Sequence, residues 1–163
     1  MNRHMSKAGL LLAVFTLLCP AGPLMAQAEL PFLGTVSTVA TVSQLNDCEV
    51  SVITSGEGQA TYLGNFTWQS THTLNVCTTP FTGSDGSLTL TAADGDQLFG
   101  TYTTTTQFIS PLLAAFDFTI TVTGGTGRFA NTTGTIKATG QADRSTNTGT
   151  ATLTGTISSV GPD

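Results

Sequence analysis

Past residue 28 the chain has one histidine, His72, and two cysteines, Cys48 and Cys77. Thiolate and imidazole are common zinc ligands, so these three residues are the first metal candidate. The spacing argues against it. His72 and Cys77 lie an odd number apart, and on a regular strand they would point to opposite faces. No metal and no cofactor are implied. An even pair of cysteines in an exported chain reads as one disulfide, Cys48–Cys77, with two buried free thiols as the alternative. His72 stands in Ser70-Thr71-His72-Thr73 and reads as a surface residue of a threonine-rich strand.

Hydrolytic chemistry finds little support. There is no G-x-S-x-G elbow for a nucleophilic serine. Paired carboxylates could serve glycosidic cleavage, but Asp94 and Asp96 sit in Ala93-Asp94-Gly95-Asp96 and read as turn formers. The aromatic group is more informative. Tyr62, Phe66 and Trp68 share one face at period two, and Tyr102 is placed beside them through Gly100. Such a face could line a ligand lumen, apolar with a few polar tips; plain core packing and carbohydrate stacking are the alternatives.

Gly124-Gly125-Thr126-Gly127-Arg128-Phe129 is the densest glycine motif. Its glycines permit positive φ in a sharp turn. Arg128 can then fold back onto backbone carbonyls or a carboxylate such as Asp117, and Phe129 can plug a barrel end. Gly125, Gly127 and Ala130 fit a loose dinucleotide pattern, but that pattern needs a following helix, and Asn131-Thr132-Thr133-Gly134 breaks the chain within a turn. The phosphate-loop Gly-Lys-Ser/Thr is absent, and Phe129 stands where a calcium repeat needs Asp.

These residues must be held by strands. The 163-residue chain, about one domain's worth, is 39% hydrophobic and 9% charged, with 18 glycines. Charged residues are usually about a quarter of a soluble domain, and threonine replaces them here. Phe116, Phe118, Ile120 and Val122 alternate with Asp117, Thr119, Thr121 and Thr123. Similar alternation runs through 87–91, 136–142 and 151–157. This is the half-buried strand pattern, with threonine suited to the exposed face.

About eight strands follow, near 34–42, 49–54, 59–67, 70–77, 87–92, 97–106, 116–123 and 133–142, with 59–77 either one long bent strand or two, and a closing one near 149–158 making a ninth. Ser55-Gly56-Glu57-Gly58, Thr82-Gly83-Ser84-Asp85-Gly86 and Asn147-Thr148-Gly149 read as turns; Ile109–Ala115 reads as a loop or one helical turn. A closed barrel and a sandwich both fit, and closure is favoured because few inward charges or prolines guard an open edge.

Residues 1–28 read as a secretory signal: Arg3 and Lys7, the apolar run Ala8–Leu18, a Pro20-Gly22-Pro23 break, and Ala26-Gln27-Ala28 before Glu29. A lipoprotein reading through Cys19 is weakened by Leu18, where a small residue is expected. Residues 29–163 then form a single domain, secreted or periplasmic. That domain keeps Arg128, Lys137 and Arg144 against all ten acids, a net charge of −7. This excludes a basic nucleic-acid binder and argues against an anionic membrane surface. No apolar run is long enough for a membrane-spanning helix. An outer-membrane barrel would need an apolar band with aromatic girdles, and the aromatics here are scattered. Asn65-Phe66-Thr67 and Asn131-Thr132-Thr133 are sequons.

Val122–Asn131, with Thr133-Gly134, resembles the strand–GGTGRF–return strand of the allene oxide cyclase and dirigent barrel superfamily. Gly58–Thr67 resembles a G-x-A-T-H-L-G-x-F-T segment of bacterial secreted members, with Tyr62 in place of the histidine. Gly149–Ile157 is similar to their closing strand. The resemblance implies a calycin-like, closed eight-stranded antiparallel barrel around an apolar lumen, often trimeric. It also implies cyclase- or isomerase-type handling of a small apolar molecule, but assigns no catalytic residue by position. The other expectation is a non-catalytic structural or interaction domain of the envelope or extracellular space.

Overall fold

The computed structural model describes residues 29–161. The secretory signal expected at 1–28, with Cys19, lies outside the described residues. Eight strands follow in order: β1 (Leu30–Gln44), β2 (Glu49–Ala60), β3 (Gly64–Asn75), β4 (Phe81–Ala92), β5 (Gln97–Phe108), β6 (Leu113–Gly125), β7 (Gly134–Asp143) and β8 (Thr148–Ile157). Each pairs antiparallel with the next, and β1 pairs with β8, so the sheet is a closed barrel. The stretch near 149–158 is therefore the eighth strand. A single 3-10 turn, Gly127–Phe129, links β6 to β7. Among the described residues no helix is long and apolar enough to cross a membrane.

The ninth-strand ambiguity came from one misplaced turn. Gly56 and Gly58 are inside β2, and the reversal lies at Thr61-Tyr62-Leu63. Their small size serves the ladder: Gly56 faces Trp68 and Gly58 faces Phe66. A Cβ on Gly58 would come within 2.6 Å of the Phe66 ring. Likewise 82–86 is not a turn but part of β4, where the register shifts between Gly83 and Gly86. Asp85 takes up the irregularity at φ +55°. Residues 113–115 of the undecided 109–115 stretch belong to β6.

Lumen-facing residues divide into two arcs. β3, β5 and β6 contribute Phe66, Trp68, His72, Tyr102, Phe116 and Phe118. The facing arc of β7, β8, β1 and β2 is rich in small residues such as Ala138, Ala151, Gly56 and Gly58. Rings lie over glycines of neighbouring strands, Phe66 over Gly58 and Phe116 over Gly140, and side chains fill an eight-stranded interior. Phe32, Leu90, Leu98, Ile120, Ile136, Leu153 and Ile157 are essentially fully buried in the same core. Burial of each such side chain is worth roughly 1.5–3 kcal/mol. Threonine occupies the outer face, as at Thr119, Thr121, Thr152 and Thr154, all exposed.

The glycine turn closes one end. Gly124 and Gly127 take φ of +134° and +51°. Gly125 does not; it is required by space, since a Cβ there would lie 2.0 Å from the Gln97 carbonyl oxygen. Phe129 is 0% exposed and joins the core beside Phe32, Leu63 and Ile157, so it plugs this end. Arg128 does not reach Asp117, whose carboxylate accepts from the Thr139 hydroxyl instead. Arg128 pairs with Asp94 and, at 3.8 Å, Asp96, and donates to the Tyr62 carbonyl at 3.2 Å. The β4–β5 hairpin carries both carboxylates to the plug, which is why the nearer-looking Asp117 is passed over.

Candidate functional site

At the opposite end, which we call the mouth, the inward faces of β1 and β7 become partly exposed. Val42 belongs to the lumen face, opposite Val52, yet is 55% exposed. Thr38, Ala40, Gly140, Ala142 and Phe116 line the wall below it and are half-buried. No Asp, Glu, Lys or Arg occupies a lumen-facing strand position. The Cys48–Cys77 disulfide lies on this rim and joins the β1–β2 loop to the β3–β4 loop. With both thiols oxidised together, neither is available as a zinc ligand, and His72 is elsewhere.

His72 is the main departure from sequence reasoning. It is not a surface residue: it is 6% exposed and faces inward between Val52 and the β4 wall. The neighbouring threonines suggested an outer face, but they are the outward half of the alternation and His72 belongs to the inward half with Ser70 and Trp68. The usable signal was this period-two continuity from Phe66 through Trp68.

His72 Nδ1 and the Tyr102 hydroxyl are 2.9 Å apart. The two rings meet edge to face, and Phe118 stacks on Tyr102 at 4.7 Å. The Tyr102 ring also lies over Gly86, where a Cβ would come within 2.6 Å of it. Burial lowers the His72 pKa from 6.5 to about 4. Burial pushes the Tyr102 phenol up to about 12. Both side chains are therefore neutral at ordinary pH.

The polar cluster continues downward. Thr54 and Ser70 hydroxyls are 2.6 Å apart, and the Trp68 indole N–H donates to Thr54 at 2.9 Å and to Ser70 at 3.1 Å. Among the described residues His72 Nε2 has no hydrogen-bond partner. No fully buried side-chain nitrogen or oxygen goes unpartnered there. Nε2 therefore keeps an edge that solvent, or a ligand, can reach.

Of the residues expected to line the lumen, Phe66, Trp68 and Tyr102 do face it, at 3–4% exposure. Tyr62 does not. It sits in the β2–β3 turn at φ +67° and is 39% exposed, because the reversal begins one residue before it and removes it from the strand alternation. The residues missed are His72, Ser70 and Thr54. No cluster of three or more His, Cys, Asp or Glu suited to a metal occurs among the described residues.

A shallow concavity of about 470 Å³ lies on the outer wall between Val39, Leu113, Gln141 and Thr150. Comparison with protein-family models, curated proteins and solved structures finds no match.

Proposed function

We propose that the protein is an exported barrel of the allene oxide cyclase and dirigent type that holds a small, uncharged, mainly apolar molecule in its mouth. The observation that carries this reading is the His72–Tyr102 pair on an inward face without charged side chains, with Nε2 unpartnered among the described residues. Pockets of this kind combine apolar walls with a few placed polar groups. A neutral pair could orient a reactive substrate or exchange a proton with it, as cyclisation or isomerisation requires. The rim disulfide fits an oxidising compartment outside the cytosol.

The second reading is a structural domain. It is favoured by the lower lumen, where Phe66, Trp68, Phe118 and Phe129 fill the barrel with its own side chains.

Paired native and denaturing mass spectra of the exported protein separate the two. A reproducible excess mass that leaves on denaturation is expected, and its value nominates the ligand class. Absence of excess mass, together with no binding of small ketones or arenes, would overturn the ligand-holding reading. The same spectra report whether the chain is a trimer, as the resemblance implies.

A further inference from the structure

His72 and Tyr102 sit on strands that do not touch. β4 runs between β3 and β5, so their backbones are two strand spacings, about 9.5 Å, apart. The two rings nevertheless meet edge to face, 5.6 Å between centroids, with His72 Nδ1 2.9 Å from the Tyr102 hydroxyl. They meet above the inward face of β4. A side chain rising from that face would stand between them.

β4 is bare at that point. Its inward residues there are Gly83 and Gly86, both buried, while Ser84 and Asp85 between them are exposed. A Cβ on Gly83 would lie 3.0 Å from His72 Cδ2 and 2.3 Å from the Thr104 methyl. A Cβ on Gly86 would lie 2.6 Å from the Tyr102 ring. Two outward residues in succession break the period of a strand, and the break is a β-bulge. On the β3 side Thr71 pairs with Ser87 and Thr73 with Ser84, so His72 alone faces two residues, Asp85 and Gly86. On the β5 side Gly83 pairs with Thr104 and Gly86 with Tyr102, so Thr103 faces Ser84 and Asp85. Asp85 takes φ +55°, a region that residues other than glycine occupy at a cost. A bulge bends its strand, sharpens the local twist and re-aims nearby side chains. Here the irregularity falls on His72 in one ladder and beside Tyr102 in the other.

We infer that the β4 bulge at Ser84-Asp85, with a glycine on each flank, is a positioning device: it clears and bends the strand between β3 and β5 so that His72 and Tyr102 close on each other across it. Ser84 and Asp85 do not face the lumen and act through the backbone. The inference goes beyond ligand holding. Its readout is the pair itself, so it stands or falls apart from what the lumen takes.

Deleting Asp85 tests it, because one residue fewer leaves Gly83 and Gly86 inward and the flanking pairs of both ladders in phase. Proton and nitrogen-15 spectra of the full chain are compared with those of the deletion variant, the His72 ring being identified by its loss in His72→Gln. The variant should melt no lower than wild type, since the left-handed residue is gone. Its ring contacts between His72 and Tyr102 should be lost, and the Nδ1 signal should shift as the hydrogen bond lengthens. Unchanged ring contacts and an unchanged Nδ1 signal overturn the inference.

Two further variants separate the parts. Asp85→Gly keeps the bulge and removes the side chain, so the pair should persist; loss of the pair would assign the effect to the carboxylate and overturn the inference. Gly83→Ala combined with Thr104→Ser fills the bare strip without touching the bulge. The serine removes the methyl that the new Cβ would strike, leaving His72 Cδ2 as the nearest contact. The Nδ1 signal should move in this double variant and not in Thr104→Ser alone. This comparison decides the matter if the deletion fails to fold, and an unmoved signal overturns the inference.

Discussion

The two ends of the barrel solve different problems with different chemistry. The closed end is sealed by Phe129, fully buried, and bound on the outside by Arg128 with Asp94 and Asp96. Asp94 is exposed and its carboxyl is held below the usual carboxylate range, first by the Asp96 backbone N–H and then by Arg128. The open end has no charge in its lumen and relies on neutral hydrogen bonds: His72 to Tyr102, Thr54 to Ser70, Trp68 to both hydroxyls. Charges appear where water can solvate them, and neutral polar groups appear where it cannot, as the cost of burying unpaired charge requires. The plug is served by an apolar ring and a surface pair; the open end is served by dipoles that stay neutral.

Removing the plug should give the largest effect. Phe129→Ala empties a fully buried ring site, and changes of this kind cost about 3–5 kcal/mol. The urea midpoint should fall accordingly, while the His72 ring signals at the far end stay close to wild type. If those signals move as much as those of Leu63 and Phe32, the ends are one cooperative unit and the contrast fails.

Next is the rim. Cys48 and Cys77 close a loop with sequence separation 29, for which the chain-entropy estimate gives roughly 3–4 kcal/mol. The double substitution to serine should lower stability by that order and loosen exchange of amides in 45–48 and 76–80. Unchanged stability would show that the open end is held by its ladders alone.

The smallest effect is a pH response that should separate the ends. In the unfolded chain the His72 imidazole takes up a proton near 6.5, and in the folded chain only near 4. The unfolded state therefore binds more protons between these values. Stability should be full above about pH 6.5 and decline as pH falls toward 4, by up to about 3 kcal/mol from a shift of this size. Asp94 acts lower, since its depressed carboxyl keeps its charge until pH falls below its ordinary value of 3.8. Melting temperatures across this range, compared with His72→Gln, check the assignment: the variant should lose the slope between 6.5 and 4. An unchanged slope would place the titration elsewhere.

Much of the barrel was legible in the alternation itself. Phe116 to Val122 and Ala151 to Ile157 read as half-buried strands because apolar and threonine residues alternate without interruption, and both are strands. The turn after β2 was misread because Gly56-Glu57-Gly58 carries the usual local turn chemistry. Those glycines serve Trp68 and Phe66 on the next strand, and a partner supplied by tertiary packing leaves no local trace. Arg128 was matched to Asp117 by proximity in sequence, whereas the hairpin bearing Asp94 and Asp96 is brought to it by two ladders. The same limit hid the site. Nothing near His72 in sequence announces Tyr102, which lies 30 residues away and arrives through β4.

The order of strands also governs how the chain must assemble. Seven of the eight ladders join neighbours in sequence and can form as hairpins. The eighth joins Leu30 to Ile157 and spans the whole domain. Short-range ladders form early, while a contact between distant ends waits on the largest loss of chain freedom. Before that last seam closes, β1 and β8 each present an open edge able to recruit a strand from another molecule. A nascent chain halted before Thr148 would lack β8 and expose β1 and β7 instead. The molecule's vulnerability to misassembly is thus concentrated in the time before its final ten-residue strand arrives.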